Sequence, residues 1–214
     1  SCKSRNNMNT LTLSTHPIVA DRLTRLRDVN TTPEQFRGHV HALTLILASE
    51  ATQALSLQDS QVETPLQAHT GSALQEHITL VPILRAGLGM VSALHLLIPQ
   101  ADVRHLGFYR DEEKLEPVAY YEKLPKGQAS DCCLVLDPML ATGGSAIAAI
   151  DTLKEWGCPR ILFLAILGAP EGARALERAH PDVAIHLCGI DERLNEVGYI
   201  LPGLGDAGDR LFAT

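Results

Sequence analysis

Short apolar runs alternate with helical patterns along most of this chain, and that alternation narrows its fold more than any other feature. Ile78–Leu84, Leu134–Leu136 and Ile161–Leu167 are apolar nearly throughout, as in strands covered on both faces. Val103–Tyr109 and Val183–Leu187 read as further strands, and Val62–Ala68 as an extended segment. Between them Leu88–Ile98, Ala146–Trp156 and Glu171–Ala179 read as helices. Strand–helix alternation predicts an α/β fold: a parallel sheet with right-handed crossovers and helices on both faces. An N-terminal helix, Pro33–Leu55, precedes it, with Thr32 as N-cap and Phe36, Val40, Leu43 and Leu47 on one face. That apolar helix suggests a homo-oligomer. A Gly-rich tail, Gly189–Thr214, reads as largely irregular. Residues 8–214 suit a single domain; the polar stretch Ser1–Asn7 is set aside as a tail.

Ligands in such sheets bind outside the carboxyl ends of the strands. Asp137, Arg85 and Arg110 all fall at predicted strand ends. The stretch after Leu134–Leu136 reads Asp137-Pro138-Met139-Leu140-Ala141-Thr142-Gly143-Gly144-Ser145, and a helix follows. A strand tip, a small-residue turn and a helix N-terminus attract an anion through free N–H groups and the helix dipole. The glycines allow close backbone approach, and Thr142 and Ser145 add hydroxyl donors. Asp137 stands ready for a ribose hydroxyl or a metal-bound water. No Lys follows either glycine, so this is not the P-loop of nucleotide triphosphatases. Taken alone, the turn is equally an ordinary strand–helix connection.

Two other segments resolve that choice. Ile83-Leu84-Arg85-Ala86-Gly87 places one guanidinium in a small-residue turn after a strand. The tail carries Asn195-Glu196-Val197-Gly198-Tyr199-Ile200-Leu201-Pro202-Gly203-Leu204-Gly205-Asp206-Ala207-Gly208-Asp209-Arg210. Both Gly87-Leu88-Gly89 and Gly203–Gly208 mimic a dinucleotide fingerprint. The first has Ser92 at the third glycine position, and no helix is expected to follow the second. The three segments together resemble the type I phosphoribosyltransferases, and more narrowly the uracil phosphoribosyltransferases, from about His16-Pro17 to Thr214. Tyr109-Arg110 and Glu116-Pro117-Val118 match that family's pattern too.

The resemblance implies the reaction of uracil with 5-phosphoribosyl 1-diphosphate (PRPP) to give UMP and diphosphate, in pyrimidine salvage. It implies that PRPP is bound by Arg85, Arg110, Asp206 and the run Asp137, Pro138, Met139, Leu140, Ala141, Thr142, Gly143, Gly144, Ser145. It implies that the irregular C-terminal segment binds uracil through Tyr199, Ile200, Gly205, Asp206 and Ala207. Arg85, Arg110, Asp137 and Asp206 are the candidate catalytic residues, with Asp206 a candidate general base only. Where type I enzymes commonly carry two adjacent acids, Pro138 occupies the second position, as in the uracil branch. Mg²⁺ is therefore expected to be held mainly by PRPP and water, with no protein metal site. Phe212-Ala213-Thr214 departs from the family's usual Phe-Gly-Thr. Some members respond to GTP, and no residue pattern here assigns such a site.

The net charge of −7, without a Lys/Arg cluster, argues against a nucleic-acid partner. Two alternatives stay open: an RNA-binding sensor of PRPP or UMP, and transfer to a different base. No apolar run reaches the roughly 18 residues of a membrane span, and no secretory pattern opens the sequence. Five cysteines without a Cys-x-x-Cys pattern suit buried thiols in the cytoplasm. Polar residues Asp111–Ser130, with Pro117 and Pro125, read as a hairpin or mobile loop over the site.

Overall fold

The computed structural model describes residues 10–110, 117–127 and 129–214. The expected tail Ser1–Asn7 and residues 111–116 and 128 lie outside them. In chain order the elements are β1 (Leu11–Leu13), α1 (Pro17–Arg27), α2 (Pro33–Ala51), β2 (Leu57–Glu63), β3 (Ala68–Leu74), β4 (Ile78–Leu84) and α3 (Leu88–Leu97). There follow β5 (Asp102–Val103), β6 (Leu106–Arg110), β7 (Pro117–Glu122), β8 (Cys132–Leu136), β9 (Met139–Leu140) and α4 (Gly144–Trp156). The chain closes with β10 (Arg160–Gly168), α5 (Pro170–Ala179), β11 (Ala184–Ile190), β12 (Arg193–Leu194), β13 (Ile200–Leu201) and α6 (Ala207–Phe212).

The main sheet runs β1-β11-β10-β8-β4-β6-β7. All its pairings are parallel except β6 with β7, an antiparallel hairpin. Side chains alternate across β8, so the sheet has two buried faces. Cys132, Leu134 and Leu136 join Val19, Phe36, Val40, Met90, Leu94 and Leu211 in one core, covered by α1, α2, α3 and α6. Cys133 and Val135 join Ile150, Leu153, Ala173 and Leu176 in the other, covered by α4 and α5. The apolar faces of these helices remove enough surface from water to dominate the folding free energy.

Neighbouring strands β4 and β8 thus feed helices on opposite faces, α3 and α4. Their carboxyl ends form the switch point where a parallel sheet opens a crevice. Arg85 and Asp137 follow those two strands directly.

Several expectations are corrected. The apolar face of α2 is fully consumed inside the chain's own core: Phe36, Val40 and Leu43 are 0% exposed, so that face is no docking surface. Val62–Ala68 is not one extended segment, because it spans the Thr64–Gln67 turn between β2 and β3, where Thr64 N–H donates to the Gln67 carbonyl. Val103–Tyr109 breaks at Arg104–His105. The tail is more ordered than its glycines suggest: β12 and β13 pair, and α6 follows Gly205-Asp206 directly.

Candidate active site

The stretch after β8 is bent by its neighbours rather than by its own propensity. The Asp137 N–H donates to the Leu164 carbonyl, and the Pro138 carbonyl accepts from Ile166 and Leu167, so the chain leaves β8 and re-enters the sheet as β9 beside β10. Gly143 then takes φ +88°, a left-handed conformation that an L side chain would strain, and turns the chain into α4. No side chain caps this N-terminus strongly; the Thr142 hydroxyl accepts from Gly144 N–H at 3.4 Å. Residues 137–146 wrap a hollow of about 80 Å³. First-turn N–H groups, the helix dipole and two hydroxyls around a hollow that small suit one phosphate group.

Asp137 sits at the inner edge of that hollow. Its Oδ1 accepts from the Met139 N–H at 3.2 Å. Burial pushes its carboxyl up to about 7, against that single hydrogen bond, which lowers it.

A larger cavity of about 510 Å³ adjoins the hollow. Asp137, Met139, Ala141 and Ser145 line it from one side, and Tyr199, Ile200, Gly205, Asp206 and Ala207 from the other. The structure therefore brings together two groups of predicted residues separated by more than fifty positions in sequence. Pro138, Leu140, Thr142, Gly143 and Gly144 do not line the larger cavity. Pro138 is buried beneath it, and the other four line the smaller hollow.

Asparagine and aspartate side chains shape the C-terminal wall. The Asn195 Oδ1 accepts from Val197 and Tyr199 N–H, and Asn195 N–H donates to the Tyr199 carbonyl, closing a tight turn. Asp191 accepts from Gly203 N–H at 2.8 Å and from both terminal nitrogens of Arg27, at 2.7 and 2.6 Å. Asp206 is the N-cap of α6, its Oδ1 accepting from Asp209 N–H at 2.8 Å. One oxygen of the residue expected to meet both substrates thus holds the loop's shape.

Arg85 lines neither cavity; it follows β4 and precedes Ala86, which lines the larger one. Gly87 folds its turn against β8; a Cβ there would strike the Leu136 carbonyl oxygen and lie 2.7 Å from the Ile83 nitrogen. The Arg85 guanidinium is half exposed and pairs with Asp209 at 3.2 Å. Arg110 ends β6, and its side chain lies outside the described residues. Sequence reasoning missed Ala86, Val197, Gly198 and Gly208, which also line the cavity. All four lie inside the two quoted segments, but small side chains carry no chemical signal of their own.

Comparison with known proteins agrees with this geometry. The family model for uracil phosphoribosyltransferase matches residues 13–214. The uracil phosphoribosyltransferase of Roseiflexus castenholzii is 56% identical over 207 residues, covering 97% of this chain and 100% of that protein. That of Wolinella succinogenes is 52% identical over 200 residues, covering 93% and 96%. Among solved structures, the AQ2163 protein from Aquifex aeolicus superposes with a TM-score of 0.90 at 36% identity, covering 95% of this chain and 98% of that one. A hypoxanthine phosphoribosyltransferase from Staphylococcus aureus shares the fold alone, with a TM-score of 0.52 at 13% identity over 85% and 84%. With the strand-tip hollow, the adjoining cavity and these matches all running over the same residues, the chain belongs to the uracil phosphoribosyltransferase family.

Proposed function

We propose that the protein transfers the phosphoribosyl group of PRPP to N1 of uracil, releasing diphosphate and yielding UMP for pyrimidine salvage. The observation that carries this reading is the continuity of the two cavities through Asp137, Met139, Ala141 and Ser145. A phosphate in the small hollow and a flat base against Ile200–Ala207 share one ligand-sized space. As the N1–C1′ bond forms, the bond from C1′ to the diphosphate oxygen breaks and N1 gives up its proton. Catalysis then rests mainly on holding the two reactants in line and on stabilising the departing diphosphate.

The Thr142–Ser145 turn takes the 5′-phosphate, Asp137 faces the ribose, and Arg85 with Arg110 meets the diphosphate. Uracil presents two carbonyls and two N–H groups. The backbone at Ile200, Gly205 and Ala207 suits those edges, and a wrong base leaves buried groups unpaired. The fit to Mg²⁺ rests on Asp137, the single carboxylate of the turn after β8, which lines both cavities; it would hold an ion that PRPP and water carry mainly. When bound, the ion neutralises charge on the diphosphate.

The test is diphosphate release from PRPP and Mg²⁺ with uracil, hypoxanthine, adenine and orotate in parallel. Release with uracil alone is expected; release with another base and not uracil discards the base assignment.

The described cysteines are buried and unpaired, which suits a reducing, cytoplasmic location. Among the described residues no helix is long and apolar enough to cross a membrane. The β2–β3 hairpin supports a homo-oligomer. It exposes Leu57, Val62 and Leu66, the last at 94%. A two-stranded hairpin is marginal in water by itself, so such an arm gains most by gripping a second copy. Sedimentation should show an oligomer that Leu57→Asp with Leu66→Asp reduces to monomers; an unchanged assembly removes the arm from the interface.

A further inference from the structure

Arg85 is a long, half-exposed side chain beside the cavity-lining Ala86 and Gly208, and a free guanidinium there would spread over many rotamers. Among the described residues its one ion-pair partner is Asp209, with Nη2 3.2 Å from Oδ1. Asp209 is itself fixed. The same Oδ1 accepts from the Thr214 hydroxyl at 3.0 Å, and its N–H donates to the Asp206 cap. The Thr214 N–H reaches back to the Asp209 carbonyl at 3.3 Å. The first turn of α6 therefore carries both Asp206 and Ala207 on the cavity wall and the tether of Arg85. An exposed pair of this kind adds little to stability, so its placement calls for another account.

We infer that Asp209 is a positioning residue: its carboxylate takes one edge of the Arg85 guanidinium and so aims the remaining donors at the diphosphate. Arginine offers five N–H groups in a rigid fork, so one bond to Asp209 leaves four for a second anion. The Thr214 hydroxyl orients Asp209 in turn, which gives Thr214 a part in diphosphate binding. This inference rests on the proposed role of Arg85.

The experiment is a double-mutant cycle of Asp209→Asn and Arg85→Ala, read by steady-state kinetics for each substrate. Asp209→Asn should raise KM for PRPP about tenfold, within the coupling range of residues sharing one network, and leave KM for uracil and the melting temperature close to wild type. Asp209→Glu should restore most of the loss. In the Arg85→Ala background Asp209→Asn should change nothing further. Additive losses, with Arg85→Ala itself damaging, overturn the inference and spare the reading of Arg85. A change confined to the KM for uracil also overturns it, because Asp209 would then act on the base side. Wild-type kinetics for Arg85→Ala would remove Arg85 from the diphosphate site and the inference with it.

Discussion

Asp191→Ala tests how the segment proposed to bind the base is held. The Asp191 side chain is 5% exposed and joins three donors: two nitrogens of Arg27 and the N–H of Gly203. Arg27 also donates to the Gly203 carbonyl at 2.9 Å, so this one ion pair ties both backbone groups of Gly203 to α1. Removing one partner of a buried pair costs about 3–5 kcal/mol, chiefly because the other charge stays buried and uncompensated. Arg27 keeps 28% of its side chain in water, which places the cost near the lower end, about 3 kcal/mol. For a chain of this size that corresponds to a fall in Tm of roughly 6–12 °C. The loop from Gly203 to Asp206 loses its anchor at the same time, so KM for uracil should rise by more than KM for PRPP. Differential scanning calorimetry with steady-state kinetics checks both. Arg27→Ala should cost a comparable amount, and the double variant should recover part of the sum, since neither charge is then left alone. A single variant melting within about 2 °C of wild type, below the shift that even 1 kcal/mol produces in a chain this long, would refute the reasoning.

Two further predictions follow from the strand tips. Burial raises the Asp137 carboxyl from an ordinary 3.8 to about 7, so between those values the folded protein binds a proton that the unfolded chain does not. Stability should therefore fall as pH rises from about 4 to about 7, and Asp137→Asn should flatten that slope in a pH series of melting curves; an unchanged slope would show that the carboxyl is ionised throughout. Gly87→Ala drives a methyl into the Leu136 carbonyl and the Ile83 backbone, so the Arg85 turn must move. A misplacement near 1 Å costs about a hundredfold in kcat/KM, and wild-type activity in this variant would show that the turn yields without harm.

The sequence spelled out the elements whose stability is local or fully buried. Ile78–Leu84 is β4 to the residue, because its first six residues are all buried. Thr32 caps α2 with Gln35 completing a capping box, a pattern written in four adjacent residues. What stayed illegible depends on distant partners. The three residues of β1 are a strand because they pair with Ile185–Leu187. The β2–β3 hairpin lacks an apolar face, so it carries no alternation to read. At the site, the Asp137–Ser145 turn and the Tyr199–Ala207 segment were visible as motifs. The ion pairs Arg27–Asp191 and Arg85–Asp209 were not, since neither has any local signature.

The tail shows why. Each of Gly198, Gly203, Gly205 and Gly208 loses more backbone entropy on ordering than any other residue type would, and reading the run as irregular follows from that cost alone. The opposing terms are long-range and mostly cationic. Arg210 donates to the carbonyls of Leu26, Leu204 and Asp28 and stacks over the Phe36 ring at 4.5 Å. Arg37 reaches the Leu211 carbonyl, and Arg27 that of Gly203. Guanidinium groups thus satisfy the loop carbonyls of Gly203 and Leu204 and tie α6 to the ends of α1 and α2. The wall proposed to meet the base is held from behind by α1 and α2, which leaves its front edge of backbone groups free for a small flat ring. On that reading, Arg27 and Arg37, far from the cavity wall in sequence, help to set how sharply that edge discriminates.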